Sequence, residues 1–150
     1  MFKSPSSWFE MKQKLKAELV APCGMNCGVC KGYLAYSRNL PAEIRKARRT
    51  SYCAGCRPRG KLCAYIKGNC SKLRKQTIQF CYECEDFPCQ RLQTIDRRYR
   101  TRYNTSLIDN LNQIKQFGID EFLEKEEVKW RCSRCGGTIS IHNSHCYDCE

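Results

Sequence analysis

Histidine is almost missing from this sequence: His142 and His145 are the two in 150 residues, and both lie near the C-terminus. That scarcity leaves a nucleophilic cysteine without its usual general base. No Gly-rich phosphate loop occurs, and no run of 18 apolar residues exists that would span a membrane. The first 22 residues, MFKSPSSWFEMKQKLKAELVAP, are charged throughout and carry no apolar run of signal-peptide length, so a cytoplasmic location is expected. Apolar residues are also scarce. Without the cysteines they number 48 of 150, about a third, below the usual ~45–50 %. Burial alone is a weak basis for a fold of this size.

What the chain has instead is cysteine: 14 residues, a density that signals a disulfide scaffold or metal sites. Five pairs enclose two residues: Cys27/Cys30, Cys53/Cys56, Cys81/Cys84, Cys132/Cys135 and Cys146/Cys149. Two thiolates of one tight turn can then reach the same tetrahedral ion at ~2.3 Å. In a reducing compartment such pairs serve as metal ligands or redox centres rather than disulfides, and metal ligation is the expectation here. The formal net charge is +12. Each four-thiolate zinc site subtracts two charges, so three of them would leave about +6.

The expected fold class is a small, metal-stabilised, mostly α, irregular domain with a C-terminal zinc ribbon built on a β-hairpin. Residues 1–22 read as an N-terminal amphipathic helix, with Ser7 and Glu10 as capping box and Trp8, Met11, Leu15 and Leu19 at helical spacing, stopped by Pro22. Residues 23–90 form a cysteine-rich metal-binding domain with short helical pieces, one opened by Pro41. Residues 91–128 form a helical segment. Leu92, Ile95 and Tyr99 share one face; Leu107, Ile108, Leu111, Ile114 and Phe117 make a second helix, capped by Thr105 or Ser106 and stopped by Gly118. A short acidic helix opens at Asp120. Residues 129–150 form the ribbon, a separate small module.

In the ribbon, Cys132, Cys135, Cys146 and Cys149 are the expected zinc ligands. Gly136 and Gly137 supply positive φ at the first knuckle, the alternation from Thr138 to Ile141 suggests a strand, and Asn143–Ser144 suits the return turn. His142 and His145 are assigned neighbouring or solvent-facing roles. The N-terminal ten cysteines are less constrained. One partition places Cys27, Cys30, Cys53 and Cys56 on one ion and Cys63, Cys70, Cys81 and Cys84 on a second, with Cys23 and Cys89 spare. A crossed pairing is equally legal. Three zinc ions are expected in total; the alternative is one four-iron, four-sulfur cluster within the N-terminal set. Cys23, Cys27 and Cys30 have the spacing of a radical cluster motif, but such chemistry needs a large barrel, ~200 residues or more.

The strings APCGMNCGVCKGY (21–33), CAGCR (53–57), FCYECEDFPC (80–89) and RYRTRYNTSLIDNL (98–111) resemble an uncharacterised microbial family, a cysteine-rich domain of unknown function common in anaerobes. The resemblance runs over about 21–150. It implies metal binding through the cysteines and supplies no established reaction.

No catalytic residue is assigned: Glu83, Glu85 and Asp86 sit beside a knuckle, where carboxylates accept backbone hydrogen bonds. The expected role is a zinc-dependent binding module; the alternative is an Fe–S redox protein or metalloenzyme using the N-terminal cysteines. Eleven Lys or Arg and no Asp or Glu fall between Arg45 and Lys75. A second basic stretch carries Arg97, Arg98, Arg100 and Arg102 interleaved with Tyr99 and Tyr103, the pattern of phosphate contacts plus base stacking. RNA or the ribosome is the expected partner, a protein partner the alternative.

Overall fold

A computed structural model describes residues 13–58 and 70–149. Six α-helices carry the described chain: α1 (Lys31–Ser37), α2 (Ala42–Ala47), α3 (Ser71–Arg74), α4 (Gln90–Tyr103), α5 (Leu107–Phe117) and α6 (Ile119–Lys129). The molecule is mostly helical, and no helix among the described residues is long and apolar enough to cross a membrane.

The two longest signals in the sequence become the best-defined elements. Leu92 and Ile95 of α4 are buried with Leu107 and Leu111 of α5, in a core that also takes Val29, Leu73 and several cysteines. Ser106 caps α5 by accepting the Asp109 N–H at 3.1 Å, and Gly118, at φ 92°, ends it. Asp96, 1 % exposed, locks α4 to α5. Its Oδ1 accepts from the Ser106 hydroxyl and the Ile108 N–H, and its Oδ2 from Arg100 Nε at 2.8 Å. A buried carboxylate so fully partnered avoids most of its desolvation cost.

The non-cysteine residues of the 21–33 string are structural. Gly24 has φ 91°, and a Cβ there would meet the Leu107 carbonyl oxygen at 2.5 Å, so α5 packs directly on this turn. Asn26, almost fully buried, accepts the Gly28 N–H and donates to Glu126 of α6. The first cysteine pair is therefore seated by α5 and α6 as well as by its own turn.

Two expectations change. Over residues 13–22 the amphipathic helix is absent: one 3-10 turn, Ala17–Leu19, is all that forms. Ser7, Trp8, Glu10 and Met11 lie outside the described residues. Lys16 and Val20, on either side of the turn, are both extended, and Arg57 holds the Val20 carbonyl at 2.6 Å. The C-terminal β-hairpin also does not form. Among the described residues that region has two isolated antiparallel bridges, Arg131 with Thr138 and Ile139 with Cys146. The reason is visible in the next hydrogen bond along: the Ile141 N–H donates to Val29 across the molecule, at 3.0 Å, instead of extending a ladder.

The C-terminal segment is docked on α1. Tyr147 is buried with Leu34 and Ala35, and Arg38, which caps the C-terminal end of α1, reaches Asp148. His142 Nδ1 accepts the Lys31 N–H at 3.3 Å. A backbone amide can only donate, so Nε2 carries the imidazole proton and donates to Tyr99 Oη, also at 3.3 Å. Burial, then the Lys31 charge, lowers the His142 pKa from 6.5 to about 4. Because the folded value is depressed, the neutral ring stabilises the fold above pH 6.5, and this contribution is lost as pH falls towards 4. Chemical denaturation across that window should show up to about 3 kcal/mol more acid-induced loss in the wild type than in His142→Gln, which stays neutral. Equal pH slopes in the two proteins would contradict the docking role.

Candidate metal centre

Four sulfurs converge at the C-terminus. Cys132, Cys135, Cys146 and Cys149 present Sγ atoms that all lie within 4.8 Å of one another, and no other described His, Cys, Asp or Glu side chains form so tight a group of three or more. Cys135 and Cys146 are 3.5 Å apart and Cys132 and Cys149 3.9 Å. Zinc–sulfur bonds of ~2.3 Å give a tetrahedron with edges of about 3.8 Å, so this spacing fits one ion.

The backbone is arranged for thiolate at each turn. Gly137 N–H donates to Cys135 Sγ at 3.3 Å, and Asp148 N–H to Cys146 Sγ at 3.4 Å. The Arg134 and Cys135 amides pointing at Cys132 lower its pKa to about 7, whereas burial raises Cys146 to about 12. Gly136 takes the expected positive φ, 76°. Gly137 is required for a different reason: a Cβ would run into the Asp148 side chain. Neither histidine belongs to the ligand group. His142 is turned to α1 and α4, and the His145 backbone N–H donates to Asn143.

The thirteen described cysteines are all free of disulfides. In the N-terminal set, Cys27, Cys30, Cys53 and Cys56 are neighbours. A hydrogen bond with Cys56, then burial, raises the Cys27 pKa; burial raises Cys30, with smaller contributions from Cys53 and Cys56. A Cβ on Gly32 would stand 3.1 Å from Cys53 Cβ, so glycine is what lets these two turns meet. Cys70, Cys81, Cys84 and Cys89 line one small cavity. Cys23 is buried in the main core, and Cys63 lies outside the described residues.

Arg97, Arg98, Arg100 and Arg102 of α4 are exposed, although Arg100 is engaged with Asp96. Tyr99 and Tyr103 face the other way, edge-on to His142 with centroids 6.0 and 5.0 Å from its ring. Much of the basic block is occupied internally. Arg45 lies over Tyr52, Arg48 over Tyr147 and Arg57 over Phe80, while Arg57 also ties Val20 to Gln79. Among the described residues of this region the exposed aromatics are Tyr36 and Tyr52, in edge contact at 6.3 Å. Glu83 accepts the Gln79 and Phe80 N–H groups, a turn-holding role.

The contact that sequence reasoning missed is Arg38 with Asp148. Arg38 Nε and Nη2 donate to the two Asp148 oxygens at 3.0 and 3.1 Å, and the pair bridges α1 to the second knuckle. Nothing local marks two residues 110 positions apart.

Residues 19–94 match a family described as a protein of unknown function (DUF3795). No curated protein and no solved structure matches the chain.

Proposed function

We propose that this chain, which belongs to the DUF3795 family of proteins of unknown function, is a zinc-stabilised module that binds RNA, free or within a ribosome, through α4. The observation behind the zinc is the C-terminal group of four sulfurs within 4.8 Å, a set of ligands that thiophilic, tetrahedral zinc favours. With four protein ligands no position is open for substrate, so the ion's role is structural: it fixes two turns against α1.

The RNA half rests on α4. Its exposed arginines project from a helix held rigidly by Asp96 and by α5, a geometry suited to bidentate phosphate contacts. Tyr99 and Tyr103 are engaged with His142, and Tyr52 is covered by Arg45, so base stacking falls to the exposed ring of Tyr36.

The test is a salt series with single-stranded and structured RNA. Six phosphate contacts would cost about 10^3-fold in affinity between roughly 50 and 200 mM salt. Reversing Arg97, Arg98 and Arg102 to Glu should flatten the log–log slope by about one unit for each phosphate no longer neutralised, with metal content unchanged. Arg100 is spared because it neutralises Asp96. Absence of RNA affinity at low salt would remove the RNA reading and leave the metal site intact.

A further inference from the structure

The geometry points to a second metal centre, held by the thiolates of Cys70, Cys81, Cys84 and Cys89, for a soft, thiophilic metal. It is independent of whether the C-terminal centre takes zinc. The four cysteines come from three places: the residue before α3, the 3-10 turn Cys81–Glu83 and its end, and the residue before α4. They line a common cavity of about 30 Å³ whose remaining walls include Phe87 and Leu92. On this side the walls are almost wholly apolar apart from sulfur; on the other, Cys70, Cys84 and Cys89 also border an open pocket that carries Lys72 and Asp86.

The second observation is the turn at Cys84. Asp86 N–H donates to Cys84 Sγ at 3.4 Å, two residues on. This is the same contact made by Asp148 to Cys146 and by Gly137 to Cys135 at the C-terminal centre. Amide donation to sulfur two residues back orients a ligating thiolate and spreads its charge. A third is Lys72, whose ammonium donates to Cys84 Sγ at 3.3 Å, placing a cation beside a site that would carry net negative charge.

This ligand set differs from a partition that spends Cys63 and leaves Cys89 spare. Cys89 stands at the N-terminal end of α4, and its carbonyl accepts the Gln93 N–H, so that helix positions it. The four sulfurs stand around the cavity rather than closing on one point as those at the C-terminus do. Four cysteines serve a zinc ion that draws them in, or a four-iron cluster, for which the hollow would have to widen, and the ligand chemistry is common to both.

The full chain, purified without oxygen, is assayed for zinc, iron and visible absorption as wild type, Cys89→Ser, Cys149→Ser and the double variant. The site predicts that Cys89→Ser loses one centre: either one zinc, or four irons together with a broad band near roughly 400 nm. The double variant then loses one centre more than Cys149→Ser. Full metal content in Cys89→Ser overturns the inference, whereas full content in Cys149→Ser would instead overturn the C-terminal zinc. Thiol alkylation of the wild type covers the case of a variant that misfolds. Cys70, Cys84 and Cys89 are half-buried, not sealed, so they should resist labelling until the metal is stripped and then react together. Their prompt, independent labelling in the metal-loaded protein would contradict the site.

Discussion

Removing the metal from the C-terminal centre, by Cys132→Ser or a strong chelator, is expected to unfold residues 129–149 and to loosen α1 with them. Beyond the end of α6 this segment has no helix and no strand of its own apart from two isolated bridges, and of its buried side chains only Ile141 and Tyr147 are large apolar ones. The four-sulfur cluster is what holds its two turns together. For so small a unit, metal binding is folding free energy, on the order of 10 kcal/mol. The effect should spread because the segment is docked. Ile141 bonds to Val29, His142 to Lys31 and Asp148 to Arg38, so α1 and the turn that carries Cys30 lose three anchors at once. Hydrogen exchange should show the Ile139, Ile141 and Tyr147 amides losing protection first and those of α1 next. The α4–α5 pair, tied by Asp96 and its own apolar contacts, should keep more of its protection. Unchanged protection in the metal-free protein would mean that packing alone holds the segment.

Arg38→Ala should be the most damaging substitution outside the cysteines, at about 3–5 kcal/mol, because it removes the guanidinium that neutralises a largely enclosed carboxylate. The Arg38 and Asp148 side chains are 11 % and 14 % exposed. Arg38 also donates to Thr138 Oγ1 at 3.2 Å, and Asp148 accepts the Thr138 N–H at 2.8 Å. One guanidinium thus sets a carboxylate that lies between two metal-site cysteines. Arg38→Lys should recover part of the loss, since an ammonium cannot grip both oxygens. The double change Arg38→Met, Asp148→Leu should be much milder than Arg38→Ala, as apolar replacement of both partners removes the stranded charge. Denaturant midpoints measure all three; a cost below about 1 kcal/mol for Arg38→Ala would place the pair among ordinary surface ion pairs.

These two effects also mark how far the sequence could be read. Cysteine spacing alone placed the four sulfurs of the C-terminal group, because two residues between ligands is a local, geometric requirement. Helices α4 and α5 were legible for the same reason: apolar period, Ser106 cap and Gly118 stop are all local. The absence of a hairpin was not legible, because alternation from Thr138 to Ile141 says which side chains are apolar, not where the amides bond. Ile141 chose Val29. The Arg38–Asp148 clamp, the His142 dock and the seat of Asn26 against Glu126 join residues a hundred or more positions apart, and no periodicity records them. In the sequence, the arginines of α4 and the tyrosines between them read as one basic, aromatic face. Helical rotation separates them, sending Tyr99 and Tyr103 inward to His142.

The most direct test of the central claim is native mass spectrometry of the full chain, comparing wild type with Cys132→Ser under non-denaturing conditions. A structural zinc held by Cys132, Cys135, Cys146 and Cys149 predicts that the variant's mass falls short of the wild type's by one zinc ion, beyond the cysteine-to-serine difference. An identical metal load in the two proteins would contradict it.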